Sequence, residues 1–159
     1  MIRKLHHNAY RCRDSEETRR FYQDFLGLPL AEAFEINATK TGRKTSVLHS
    51  FYQLDDGSFL AFFEAPDMPF EFKPQHDFDL HIALEVGEEV LQPMLEKGRA
   101  AGIETRGVSD HGVMHSIYFR DPNGYVIELT AKMPEHDAHM NPATNGAREK
   151  LDRWQAAKA

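Results

Sequence analysis

A chain of 159 residues fits one domain, or two small modules sharing a core, and has no room for a second independent catalytic domain. Its formal net charge of −6 and sequence pI near 5.8, with no basic stripe, argue against a nucleic-acid partner. The single cysteine, Cys12, cannot form an internal disulfide, Met1-Ile2-Arg3-Lys4 does not open a signal-peptide core, and no apolar run approaches the roughly 18 residues of a membrane span. The expectation is a cytoplasmic protein with no membrane partner.

In chain order, residues 4–12 read as a strand, and Asp14 with Glu16 and Glu17 supplies an N-cap and early acids for a helix over 15–25. Phe21 and Phe25, at i and i+4 beside Tyr22, give that helix one apolar face, and Gly27 stops it. Strands are predicted at 28–36, 46–54 and 58–64, the last two joined by an Asp55-Asp56-Gly57 turn. Residues 65–76, with Pro66, Pro69 and Pro74, read as an extended connector. The second half repeats the order: strand 78–86, helix 88–101 before Gly102, then strands 103–107, 113–120 and 124–131. A polar tail, 132–159, ends in a short helix over 147–157 anchored only by Leu151 and Trp154.

Both halves therefore read βαβββ, and a unit of this size that cannot cover its own sheet pairs with its repeat. His7 and His81 each open a strand directly before a module helix. Alternation along 80–86 sets Ile82, Leu84 and Val86 on one face and His81, Ala83 and Glu85 on the other; along 124–130, Glu128 lies with Val126 and Thr130, opposite Ile127 and Leu129. If the strands curve into an open barrel, two histidines and one carboxylate converge from three strands, the composition of a facial metal site with open positions. The plainer reading of each residue alone is a hydrogen-bonded structural histidine or a solvent-facing glutamate.

Four stretches, 6–14 (HHNAYRCRD), 21–28 (FYQDFLGL), 81–86 (HIALEV) and 118–129 (YFRDPNGYVIEL), resemble the vicinal oxygen chelate superfamily, which includes glyoxalase I, bleomycin-resistance proteins, fosfomycin-resistance enzymes, epimerases and extradiol dioxygenases. The resemblance covers about 4–131 and implies an α+β fold. Two βαβββ modules, about 1–64 and 77–131, would form a curved, largely antiparallel eight-stranded sheet around a metal cavity. It implies His7, His81 and Glu128 as metal ligands, with His7 rather than His6 chosen by the motif. A fourth ligand found in glyoxalase-type sites falls on Ala61 and is absent, leaving three positions of a six-coordinate ion open.

The same resemblance implies a substrate-orienting role for Tyr118, ten residues before Glu128, and an acid–base role for the loop residue His111. The departure is Ser58, where extradiol enzymes place an acid–base histidine; His49 or His76 could stand in. His115 shares parity with Ile117 and Phe119 and reads as a packed structural residue. The implied function is an extradiol-type dioxygenase acting on a small catechol-like or vicinally oxygenated substrate with dioxygen. Its cofactor would be a divalent metal, Fe(II) before Mn, Zn or Ni, and its assembly a homodimer, with the site built within one chain or across two. The alternatives are a non-oxidative isomerase, epimerase or lyase, and a bleomycin-resistance-like binding protein. Phe70, Phe72 and Phe78 are expected to anchor the connector, and the His136-Asp137-Ala138-His139 segment to lie on the surface.

Overall fold

Both halves of the chain follow one plan, as the repeat predicts. The computed structural model describes residues 1–71 and 76–158. The first sheet holds β1 (Tyr10–Arg11), β2 (Leu30–Ala38), β3 (Lys44–Gln53) and β4 (Phe59–Glu64) in the order β1-β4-β3-β2. The second holds β5 (His81–Glu85), β6 (Thr105–Asp110), β7 (Met114–Arg120) and β8 (Val126–Lys132) in the order β5-β8-β7-β6. Each sheet is of mixed orientation: β1 runs parallel to β4 and β5 parallel to β8, while β2, β3 and β4 pair antiparallel, as do β6 and β7. The chain divides into two compact units, Met1–Leu80 with Arg120–Tyr125, and His81–Phe119 with Val126–Ala159.

In the first unit Asp14 caps α1 (Ser15–Arg19), its carboxylate accepting from Glu17 N at 2.7 Å. The helix then widens into a π-helical stretch, Arg20–Phe25, where the sequence predicts a plain α-helix. Leu26 N bonds Phe21 O at 2.9 Å, and Gly27, at φ 85°, ends the run. This turns Phe21, Tyr22 and Phe25 onto the sheet, where Tyr22 packs against Phe62 (4.6 Å between ring centres) and Tyr52 (5.5 Å). All three of those rings are almost wholly buried, and each contributes about 1.5–3 kcal/mol by leaving water. The Asp121–Tyr125 turn belongs to this unit. Tyr22 donates to Asp121 at 2.9 Å, Arg13 N to Asn123 at 2.9 Å, and Tyr125 to Arg11 O at 2.9 Å. Burial pushes the Asp121 carboxyl and, with that carboxyl beside it, the Tyr22 phenol above their ordinary ranges.

The predicted strand at 4–12 is reduced to Tyr10–Arg11 and an isolated parallel bridge between His7 and Phe59. The cause is Asn8, whose side-chain oxygen accepts from Ala61 N at 2.9 Å, the place a strand carbonyl would take.

In the second unit α2 (Glu88–Ala100) lays Leu91, Leu95 and Gly98 on the sheet at helical spacing. Gly98 is needed there, because a Cβ would come within 2.5 Å of the Phe119 ring. Ile117, Phe119, Ile127 and Leu129 complete that buried layer. The His136-Asp137-Ala138-His139 segment forms a short helix, α3 (His136–His139), with none of its residues buried, as a surface segment should, and α4 (Ala147–Ala156) follows. Leu151 and Trp154 are exposed rather than anchoring α4. Phe78 is likewise exposed, Phe70 sits 6.4 Å from the Tyr125 ring, and Phe72 lies outside the described residues. No helix among the described residues is long and apolar enough to cross a membrane.

Candidate metal centre

Parallel pairing of β5 with β8 sets His81 opposite Val126 and Ala83 opposite Glu128, so His81 and Glu128 are diagonal neighbours on the face turned away from α2. His81 Nε2 lies 3.3 Å from Glu128 Oε2; the histidine is partly exposed and the glutamate buried. Two ligand atoms about 2.1 Å from one ion and at right angles to each other stand roughly 3 Å apart, so this spacing suits adjacent positions on a divalent metal. It also suits an ordinary hydrogen-bonded pair.

The other oxygen of Glu128 is engaged by the protein. Ser116 donates to Oε1 at 2.6 Å, and the Tyr118 hydroxyl stands 3.4 Å from it. Tyr118 is in turn 2.8 Å from His111 Nε2, and the Arg106 guanidinium lies over its ring at 5.3 Å. Burial first, then the charge of Glu128, raises the Tyr118 pKa, so at neutral pH it is a phenol with a proton to donate. His115 is a half-buried structural residue on the helix side, as its parity predicts. It begins β7 beside the first turn of α2, where its Nδ1 meets Glu88 at 2.9 Å, and that hydrogen bond raises its pKa.

The first unit repeats this frame with different chemistry. His7 faces Phe59 as His81 faces Val126, and Tyr10 faces Phe62 as Leu84 faces Leu129. Counting two residues on from Phe59 and from Val126 reaches Ala61 and Glu128. The strand registers thus place Ala61, fully buried, where the second sheet has its carboxylate. His7 instead stands among rings, 5.4 Å from Phe51 and 6.2 Å from His49, with its Nδ1 2.8 Å from that of His6. His49 is stacked on Phe63 at 3.7 Å and its Nδ1 donates to Phe62 O at 3.0 Å, while burial lowers its pKa.

Three further residues are held elsewhere. Glu64 accepts from Ser15 N at 2.7 Å at the start of α1. Ser58 bonds Asp56 through both its amide (2.8 Å) and its hydroxyl (2.5 Å), as a turn residue. His76 accepts from Phe78 N at 3.1 Å. The structure therefore brings together His81, Glu128, Tyr118 and His111, and sets His7 in the other unit. No group of three or more His, Cys, Asp or Glu placed to hold an ion occurs among the described residues. Sequence reasoning assigned no role to Ser116 or Arg106. The signal for Ser116 was its parity with Tyr118 on β7.

Residues 4–129 match the family model described as the Glyoxalase/Bleomycin resistance protein/Dioxygenase superfamily. The chain belongs to that superfamily. Among solved structures, this superfamily member is similar to a glyoxalase/dioxygenase from Nostoc punctiforme, at 23% identity over 82% of this chain and 92% of the other, with a TM-score of 0.62. A mutant of the fosfomycin resistance protein FosX from Listeria monocytogenes, complexed with Mn(II) and 1S,2S-dihydroxypropylphosphonic acid, matches at 22% identity over 87% and 99% of the two chains, with a TM-score of 0.65. TnmS3, an antibiotic binding protein from Streptomyces sp. CB03234, matches at 18% identity over 83% and 98%, with a TM-score of 0.59. At these identities the likenesses establish the fold. No curated protein matches. The superfamily includes both metal-dependent enzymes and binding proteins, so the choice between them rests on the side chains.

Proposed function

We propose that the chain is a divalent-metal-dependent enzyme acting on a small vicinally oxygenated molecule, and that its reaction is ring cleavage of the extradiol type with Fe(II). His7, His81 and Glu128 would hold the ion, with His7 supplied by the same chain or by a second copy in a homodimer. A metal there would chelate two substrate oxygens, stabilise developing negative charge and leave a position for dioxygen.

The observation that carries the reading is the run of contacts from His111 Nε2 to the Tyr118 hydroxyl to Glu128 Oε1, next to His81. It sets a phenol and an imidazole beside the proposed ligand carboxylate. Tyr118 can orient a substrate hydroxyl by donating or accepting one hydrogen bond. His111, bonded to that phenol, can take or return a proton at Nε2. The aromatic face around His7 (Phe34, Phe51 and Phe63) suits a planar apolar substrate body. A pure binding protein needs none of these proton-handling groups.

A second reading is favoured by Ser58. Its hydroxyl is committed to Asp56, so it cannot replace the acid–base histidine of ring-cleaving relatives. In that reading the same site opens an epoxide or isomerises a hydroxycarbonyl compound with no change in the oxidation state of the ion; the similar fold of FosX is solved with Mn(II) and 1S,2S-dihydroxypropylphosphonic acid.

Oxygen uptake over a catechol panel, with wild-type and Tyr118→Phe protein loaded with Fe(II), separates the two. The dioxygenase reading predicts uptake by wild type and a fall of about tenfold to a thousandfold in the variant, with metal content unchanged. No uptake on any diol, together with turnover of an epoxide or hemithioacetal with Mn(II), would move the assignment to the non-oxidative enzyme.

A further inference from the structure

Resting on the metal reading above, we propose that Ser116 is a positioning residue that holds Glu128 as a one-oxygen ligand and so keeps a coordination position open for substrate. An ionised carboxylate only accepts hydrogen bonds, so the 2.6 Å contact between Ser116 Oγ and Glu128 Oε1 uses the single serine proton. Thr130 Oγ1 lies 3.1 Å from Ser116 Oγ and donates to His115 O at 3.5 Å. The result is a buried hydroxyl on β7 closing on the Glu128 carboxylate of β8.

Among the described residues, Ser116 makes the short contact to Glu128 Oε1. Ser116 is wholly buried and Glu128 nearly so, which leaves no room for water to replace the serine hydroxyl. Tyr118 reaches Oε1 only at 3.4 Å, and its hydroxyl also meets His111 Nε2 at 2.8 Å. Oε2 has a different environment. It faces His81 Nε2 at 3.3 Å, on the side where the imidazole is partly exposed. One oxygen is thus saturated by the fold and the other is presented. A carboxylate free to turn would offer both oxygens to the same ion, and a six-coordinate metal would lose one of its three substrate positions. Ser116 precedes Tyr118 by two on the same strand face, so one short strand both fixes the ligand and carries the group proposed to meet the substrate.

The test uses the full chain, metal-free and reloaded with Mn(II) or Co(II), in wild type, Ser116→Ala, Ser116→Cys and His81→Ala. Ser116→Ala should lower Mn(II) affinity by about tenfold to a hundredfold, the usual cost of losing a group that orients a metal ligand. It should also change the visible absorption of the Co(II) form, because the carboxylate alters its mode of binding. Ser116→Cys, close in size and a weaker donor, should fall between the two, and it supplies the same readouts if the alanine variant does not fold. Wild-type affinity and spectrum in a folded Ser116 variant would overturn the proposal, as would a loss of affinity with an unchanged spectrum. Failure of the underlying reading looks different: wild type would bind no ion, or His81→Ala would bind as wild type does.

Discussion

The two halves of this chain share a strand plan and a register but not a chemistry. Around His81 the second sheet gathers Glu128, Ser116, Tyr118 and His111, a set of oxygens and nitrogens bonded to one another. Around His7 the first sheet gathers Phe51 and His49, with Ala61 where the carboxylate would be. The opposite faces also diverge. The first unit packs Tyr22, Tyr52 and Phe62 against its helix, whereas the second uses Leu91, Leu95 and Ile117. The repeat thus keeps geometry, the part a strand pairing can enforce, and leaves side chains free to specialise. One half carries a hydrogen-bonded polar cluster around His81, and the other sets His7 among aromatic rings.

The largest effect expected from breaking this division is on stability. Phe62→Ala removes a fully buried ring between Tyr22 and Tyr52 and should cost about 3–5 kcal/mol in urea unfolding, while the folded fraction keeps the metal content of wild type, since none of the three proposed ligands is touched. Metal binding lost in protein shown to be folded would mean that the first unit shapes the polar site more directly than described here.

Next in size is Ala61→Glu, which gives the first sheet the carboxylate it lacks. The position is fully buried and adjoins a ring-lined face, so in metal-free protein the variant should lose about 3 kcal/mol, the order of penalty for an uncompensated buried charge. Added divalent ion should recover part of that loss and slow any reaction that needs the occupied position. An unchanged melting profile with and without metal would show that Ala61 is not the counterpart of Glu128.

Much of this was legible in the sequence. Every strand of the second half, α2 and the Asp14 cap follow from alternation, helical spacing and capping chemistry, and the shared face of His81 and Glu128 follows from counting in twos. The first strand was not legible, because Asn8 is read as one more strand residue until its side chain is seen to bond Ala61 N in place of the backbone. Nor was the π-helical stretch after Arg19, since Phe21 and Phe25 satisfy α-helical spacing equally well. Parity puts His115 on the helix side of β7, where it stands half-buried; its partner there, the helix acid Glu88, is visible only in the folded chain. Ser116 shows the same limit. Its parity with Tyr118 was visible, but only the folded sheet shows its hydroxyl closing on Glu128 at 2.6 Å.

The smallest effect concerns the first helix. Hydrogen bonding by Arg19, with Arg20 nearby, holds the Glu16 carboxyl down to about 2 in the folded chain, against 4.5 for the free group. Because the folded value is the lower one, the contribution is present above about 4.5 and is lost as pH falls toward about 2. Glu16→Gln should therefore destabilise slightly at pH 7, with the difference closing at acid pH and shrinking in high salt, since both partners are exposed. A difference that persists at acid pH would assign the effect to packing.

The proposed function stands on His7, His81 and Glu128 as the ligands of one divalent ion. Metal content per chain, measured after loading metal-free protein with Fe(II) or Mn(II) and removing excess ion, tests it most directly when wild type is set beside His7→Ala, His81→Ala and Glu128→Gln. The account predicts close to one ion per chain in wild type and a large loss in each of the three folded variants. Full retention of metal by any one of them, or no specific uptake by wild type, would contradict it.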